Sequence, residues 1–336
     1  LKTTWKTLAR VATAAGTLAA VAAVAALVAL PGLAQAQDSW PTKPVSLVVP
    51  YPPGGTSDVI GRQLAQRLRE ELGQPFVVEN KAGAATAIGA TFVARAPKDG
   101  YTLLLSAGTT FTVIPHFNDK LAYKLDDFDP VAPVATVPFA FVVKKDFPAK
   151  TVKEYAAYAR ANPGKVNNAT NGQGSMVHLL GELIATGLDV KLTQVHYKGA
   201  APATMDMLAG VIDSNVEALT SAVPNVTTGQ YRALAVLSRD RQPLLPDVPT
   251  FRELGYPAIL GETWYAVFVP AGTPKPVADK LGAALRKITT SASFAEAMRK
   301  IGNEAKSGSL AELRATTVEQ AQVWGELIRR LGIKAE

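Results

Sequence analysis

The 336-residue chain contains no cysteine, which excludes disulfides, a thiol nucleophile, cysteine-held zinc and a lipidated N-terminal cysteine. It has only three histidines, His116, His178 and His196, and none falls in an HExxH or other clustered metal spacing. Neither metal nor cofactor is therefore expected. Lys and Arg form no run and do not interleave with aromatics, so nucleic acid is not an expected partner. No G-x-S-x-G elbow occurs. After the first apolar run, Gly54-Gly55 continue into Thr56-Ser57-Asp58, which is neither a phosphate loop of the Walker type nor a G-x-G-x-x-G turn.

Charge is also missing from Val11 to Gln37, an alanine-rich stretch preceded by Lys2, Lys6 and Arg10 and ending in Ala34-Gln35-Ala36. A basic start, an apolar centre and an A-x-A site predict a signal peptide over residues 1–36, cleaved after Ala36, and a periplasmic location. Val11 to Leu30 is long enough to span a bilayer, so an uncleaved anchor is the competing reading; the small residues at the cleavage position favour removal. Cleavage leaves 300 residues, a length that suits two lobes better than one core. Removing three positive charges from the formal +7 leaves +4.

What remains is punctuated α/β sequence. Val45 to Val49 predicts a buried strand and Asp58 to Leu72 an amphipathic helix with Ile60, Leu64, Leu68 and Leu72 on one face, stopped by Gly73. Phe76 to Val78, a Lys81-Ala82-Gly83-Ala84 loop, a helix over Thr86 to Ala94 and a strand over Tyr101 to Ser106 follow. The order recurs: strand Val166 to Thr170, Gly-rich loop Asn171 to Ser175, helix Met176 to Gly187, strand Leu192 to His196, Lys198-Gly199 turn, helix Pro202 to Ala209, strand Val211 to Val216. Two similar α/β lobes are the preferred reading and two unrelated α/β stretches the alternative. Phe139 to Val143 and Trp264 to Val269, flanked by prolines, predict strands that cross between lobes. The C-terminal region predicts helices started by Thr273-Pro274 and capped by Ser293 with Glu296 and by Ser309 with Glu312.

In a parallel sheet, ligands sit beyond the carboxyl ends of the strands, against helix N-termini whose unpaired N–H groups favour anions. Four such termini, after Gly55, Gly83, Gly174 and Gly199, predict one cleft for a small anion. Asp58 opposes a highly charged anion and more plausibly caps N–H groups, so a small carboxylate fits better than a phosphate. Ser175 and His178 share a helix face, which suits ligand hydrogen bonding better than a nucleophile with its base. Lys198 either stays solvated or adds a charge-assisted hydrogen bond to a carboxylate.

The segments "VVPYPPGGTSDVIGRQLAQRL", "VVENKAGAATAIGA", "NGQGSMVHLLGELI", "HYKGAAPA", "LLPDVPTFRELGYP" and "TWYAVFVPAGTP" together resemble the Bug family, the periplasmic solute-binding proteins of tripartite tricarboxylate transporters. The resemblance implies a two-lobed type II periplasmic-binding-protein fold, each lobe a mixed or parallel sheet with flanking helices. Lobe 1 would comprise 37–137 and 266–336, and lobe 2 would comprise 138–265. It implies a monomer that closes on a small organic carboxylate and delivers it to membrane permease subunits, without catalysis. Carried over by motif, the ligand contacts fall on Tyr51, Gly54, Gly55, Thr56 and Asp58, on Ala82, Gly83 and Ala84, on Gly172, Gly174, Ser175 and His178, and on Tyr197, Lys198 and Gly199. Two departures from the family pattern, Thr109 in "SAGTTFTVIP" and Glu217 in "VIDSNVEAL", bear on the far end of the ligand. A sensor feeding a membrane receptor shares all of these residues, and an exported enzyme using Ser175 or Lys198 is the remaining alternative.

Overall fold

The computed structural model describes residues 40–118 and 120–332, so the expected signal peptide and its cleavage site lie outside the described residues. Strand β1 (Val45–Val49) is an almost wholly buried apolar run, as suits a strand covered on both faces. It pairs in parallel with β2 (Phe76–Asn80) on one side and β3 (Thr102–Ala107) on the other. Helix α1 (Thr56–Leu72) turns Ile60, Leu64 and Leu68 fully inward and ends on Gly73, whose φ of 74° closes the last turn. A Cβ on Gly61 would lie 3.1 Å from Val49 and 3.4 Å from Leu105, so this glycine lets α1 sit close on the sheet. Helix α2 (Ala87–Ala94) covers the other face, and the four-residue α3 (Thr109–Thr112) follows β3.

The sheet then reverses direction. Strand β4 (Phe128–Lys144) is 17 residues long. Its first part, Phe128 to Pro138, runs antiparallel to β9 (Glu262–Pro270), which in turn pairs antiparallel with β3. Its second part, Phe139 to Val143, runs antiparallel to β7 (Ser214–Ala218), beyond which lie β5 (Asn167–Thr170) and β6 (Thr193–His196) in parallel. Strand β8 (Tyr231–Val236) pairs along the same part of β4 on its other edge, and the short β10 (Glu304–Ala305) pairs at Ala135 and Thr136. The path β2-β1-β3-β9-β4-β7-β5-β6 thus contains two half-sheets joined by one strand.

Sequence reading locates only Phe139 to Val143 of β4 and takes Pro138 as its flank, yet the strand begins at Phe128 and includes Pro130, Pro133 and Pro138. Register shifts follow the first two, between Pro130 and Ala132 and between Pro133 and Ala135, where β4 bulges by one residue each time, while Pro138 stands in register opposite Glu262. Strand β4 pairs in both half-sheets, whereas among the described residues β9 pairs only with β3 and β4.

Helix α4 (Val152–Ala161) is capped by Thr151, and α5 (Met176–Gly187) by Ser175, each hydroxyl accepting the backbone N–H three residues on. Helix α6 (Ala200–Leu208) and α7 (Leu219–Thr227) complete the second half. Of the C-terminal helices, α8 (Lys275–Thr289) buries Val277, Leu281, Leu285 and Ile288 on one stripe. Helix α9 (Ala292–Lys300) is capped by Ser291 and not by Ser293: Ser291 Oγ accepts from the Phe294 N–H at 3.2 Å, and Ser293 already lies in the first turn. Helix α10 (Leu310–Leu331) has the expected Ser309–Glu312 capping box.

Each half has its own core. Val48, Leu104, Phe111, Phe128 and Phe268 form one, and Phe141, Tyr155, Leu179, Ile184 and Phe251 belong to another. Helix α10 serves both, with Leu313 in the first and Trp324, Leu327 and Ile328 in the second.

Candidate functional site

Each of the four glycine-bearing loops joins a strand's carboxyl end to a helix, and close contacts tie them, together with Phe117, into a ring. The loop after β2 is held to the loop after β1 by Asn80 Nδ2 donating to the Tyr51 carbonyl at 3.1 Å. The loop after β1 reaches across to the second half, where a Cβ on Gly199 would lie 3.1 Å from Pro52 Cγ. Within that half the loop after β6 meets the loop after β5, a Cβ on Gly172 falling 3.4 Å from the Tyr197 carbonyl. The ring returns to the first half where a Cβ on Gly174 would lie 3.0 Å from the Phe117 ring. Glycine is needed at three of these places for backbone reasons as well, with φ of 112° at Gly199, 121° at Gly172 and 72° at Gly174.

The donors in this ring are backbone groups. Gly55 is the N-cap of α1 without a side-chain cap, and its carbonyl accepts from the Asp58 and Val59 N–H groups. The N–H groups of Gly55, Thr56 and Ser57 precede the first intrahelical hydrogen bond and so have no partner within the helix. At α6 the cap is Gly199, again without a side-chain cap, and Pro202 removes one donor from the first turn. Each such terminus favours an anion by about 0.3–1 kcal/mol.

The loop after β2 adds a feature that sequence reading missed. Ala84, Ala85 and Thr86 follow one another at φ of 44°, 49° and 88°, so three consecutive residues with side chains occupy the left-handed region. Such conformations cost of order 1–3 kcal/mol each and persist where surrounding structure enforces them. Here Thr86 Oγ1 meets Thr110 Oγ1 at 3.0 Å, Ser106 Oγ meets the same hydroxyl at 2.7 Å, and the Thr86 N–H donates to the Gly83 carbonyl. No composition rule marks a left-handed alanine, so the signal lies only in the tertiary contacts. Ala82, Gly83 and Ala84 are exposed, and Tyr51 lies with its hydroxyl 3.5 Å from Thr109 Oγ1.

Other predicted residues are engaged within the protein. Asp58 is 4 % exposed; its Oδ2 accepts from the Gly54 N–H at 3.0 Å and from Arg62 Nε at 2.9 Å. Burial acts to raise its pKa, but hydrogen bonds from Arg62, Gly54 and Asn80 and the Arg62 charge outweigh it and hold the carboxyl below its ordinary value. His178, also 4 % exposed, accepts the Gly174 N–H on Nδ1 at 3.1 Å, and burial, reinforced by the neighbouring His196, lowers it to about 4. Ser175 Oγ accepts the His178 N–H at 3.2 Å. The Tyr197 hydroxyl donates to Asp206 at 2.6 Å, while burial, then that bond and the Asp206 charge, raise it to about 12. Lys198 is exposed.

Glu217 sits in β7 against α6, its Oε1 accepting from Thr204 Oγ1 at 3.2 Å and Asn215 Nδ2 at 3.1 Å. Its Oε2 and the Asn215 Oδ1 are buried without a partner among the described residues. Burial, against those two hydrogen bonds, pushes the carboxyl up to about 7. A separate surface depression of about 590 Å³ lies along α10, lined by Phe111, His116, Thr317 and Arg329 among others, and shares no residue with the four loops.

A mixed α/β core in two half-sheets with four helix-bearing loops in a ring defines a ligand-binding protein of the periplasmic-binding class. Residues 60–333 match the family described as tripartite tricarboxylate transporter family receptor, and the chain belongs to that family. The fold is shared with the periplasmic binding protein BugD at 37 % identity, covering 88 % of this chain and 100 % of that one with a TM-score of 0.83. The structure of R. palustris Rpa4515 with adipate is 33 % identical, with the match covering 88 % of this chain and 100 % of that one at a TM-score of 0.84. MatC (Rpa3494) from Rhodopseudomonas palustris, solved with bound malate, is 31 % identical with a TM-score of 0.80, covering 86 % of this chain and all of its own.

Proposed function

We propose that this chain captures a small organic dicarboxylate between two lobes and hands it unchanged to membrane permease subunits. The observation that carries this reading is the ring of loops from both halves, whose available donors are backbone N–H groups at helix N-termini, a constellation suited to a carboxylate. Adipate and malate in the related structures are of the same chemistry. The lobes are 37–137 with 266–336 and 138–265, α10 reaching from the first onto the second, and β4 and α10 carry the hinge. Closure is driven by the ligand's differential affinity for the closed state. The mature chain begins after Ala36 and acts in the periplasm as a monomer.

The proposal that no catalysis occurs rests on what the candidate groups are doing. Ser175 Oγ is a helix cap and His178 Nδ1 is occupied by the Gly174 N–H, so the two are not arranged as nucleophile and base. The test is a thermal-shift screen of residues 37–336 against adipate, malate, further mono-, di- and tricarboxylates, and their amides. A dicarboxylate at about 100 times its Kd is expected to add roughly 2.7 kcal/mol of stability, and the acid recovered afterwards is expected to be unaltered. Stabilisation by amides as strong as by acids, or conversion of the acid, would overturn the reading.

A further inference from the structure

Asp58 and His178 occupy the same place in the two halves. Gly54, Gly55, Asp58 and Gly61 recur as Gly174, Ser175, His178 and Gly181 with one constant offset along the chain. Gly55 caps α1 and Ser175 caps α5, so the matched side chains both stand in the first helical turn. Each reaches back to the glycine just before the cap: the Gly54 N–H donates to Asp58 Oδ2 at 3.0 Å, and the Gly174 N–H donates to His178 Nδ1 at 3.1 Å. Both glycines are in the left-handed region, at φ of 81° and 72°. Farther along each helix the second glycine admits close packing, Gly61 against Val49 and Gly181 against Asn168.

We infer that Asp58 and His178 are matched positioning residues: each commits an acceptor atom to a loop glycine, fixes the left-handed turn that aims the following N–H groups into the cleft, and makes no contact with the bound carboxylate. This rests on the carboxylate reading above. An N–H donated to a side chain is withdrawn from the ligand, so the donors offered by these loops begin at Gly55 in one half and beyond Gly174 in the other. A glycine preceding a helix is otherwise free to sample several conformations, and the hydrogen bond selects one before the ligand arrives.

The two halves solve the same problem with different charge. Asp58 is an anion and carries its own counter-charge in Arg62, 2.9 Å away. His178 must be neutral, with Nδ1 bare and the hydrogen on Nε2, to accept the glycine N–H. The ionisable groups packed around it are Glu182, whose Oε1 is 3.9 Å from Nε2, and His196, whose ring meets it edge-on at 4.7 Å. A neutral acceptor in the second half holds the loop without placing another negative charge beside an anionic ligand.

The test compares His178→Asn, whose amide oxygen takes the position of Nδ1, with His178→Leu, which has no acceptor. Amide hydrogen exchange at Gly174 is measured in the ligand-free proteins, and affinities for adipate and malate are measured by calorimetry. The leucine variant is expected to lose Gly174 protection and about tenfold in affinity, and the asparagine variant to keep both within about threefold. Asp58→Asn and Asp58→Leu are expected to divide in the same way at Gly54. In the wild type, the imidazole nitrogen resonances are expected to show a bare Nδ1 and to stay unmoved when acid saturates the cleft. Gly174 protection that survives in His178→Leu would overturn the inference, and so would equal loss of affinity in both His178 variants or a ring resonance that shifts on ligand addition. If the wild type binds no carboxylate, the functional reading fails, while exchange at Gly174 still decides whether the side chain holds the loop.

Discussion

Replacing Gly199 with valine is expected to abolish tight carboxylate binding while leaving both cores folded. Two independent effects act at this position. The backbone stands at φ 112°, a region in which a β-branched residue is strained by of order 1–3 kcal/mol. In addition, a Cβ would lie 3.1 Å from Pro52 Cγ and 3.7 Å from Pro52 Cβ and Cδ, and the branches of valine extend beyond the Cβ. Pro52 belongs to the loop of the opposite half, so the added atoms work against the approach of the lobes and not against either core alone. The expected loss is at least roughly 100-fold in affinity, equivalent to about 2.7 kcal/mol. Calorimetry on the wild type and variant, with circular dichroism as a control for folding, measures it. Gly199→Ala with Pro52→Gly separates the effects, since removing the proline ring relieves the contact but not the backbone strain; partial recovery is expected. Wild-type affinity in Gly199→Val would contradict the contact between halves as a feature of the bound state.

Glu217→Gln is expected to stabilise the protein at pH 8 by about 3 kcal/mol more than at pH 4.5. Burial raises the folded carboxyl to about 7, while the unfolded chain titrates near 4.5. Between those values the unfolded state releases its proton and the folded state keeps it, so wild-type stability falls as pH rises through this window and falls no further above about 7. Below about 4.5 both states are protonated and the penalty vanishes. A glutamine retains an oxygen for Thr204 and Asn215 and carries no titratable proton. His178 acts in the opposite sense: its folded value of about 4 lies below the unfolded 6.5, so stability rises with pH between them. The informative quantity is therefore the difference between wild type and variant at each pH, in which the His178 contribution cancels. Denaturant unfolding at pH 4.5, 6 and 8 gives that difference, and a value independent of pH would show that Glu217 is not held protonated.

Much of this fold is legible where the controlling interactions are local. Strand β1 and helix α5 have the bounds expected from their apolar runs and glycine punctuation, and the α10 cap follows from Ser309 and Glu312 three residues apart. Strand β4 is legible only in part, because it passes Pro130 and Pro133 by bulging against β9, and that partner strand is more than a hundred residues away in sequence. At the site, the glycines announce themselves because a positive φ has a residue type. The contact of Pro52 with Gly199 and that of Phe117 with Gly174 have none, since they exist only once the two halves are placed together. The left-handed run Ala84–Thr86 contradicts its own residue types and is invisible to any local rule. Motif alone places Asp58 and His178 among the ligand contacts, whereas their hydrogen bonds with Gly54 and Gly174 emerge only from atomic positions.

The most direct measurement of the central claim is a crystal structure of residues 37–336 with the carboxylate that stabilises the protein most strongly in the thermal-shift screen. The expected result is one carboxylate group within hydrogen-bond distance of the N–H groups of Gly55, Thr56 or Ser57, the molecule enclosed between that loop and the Lys198-Gly199 loop, and its chemical structure intact. An acid seated instead in the depression along α10, or a product of reaction in the cleft, would contradict it.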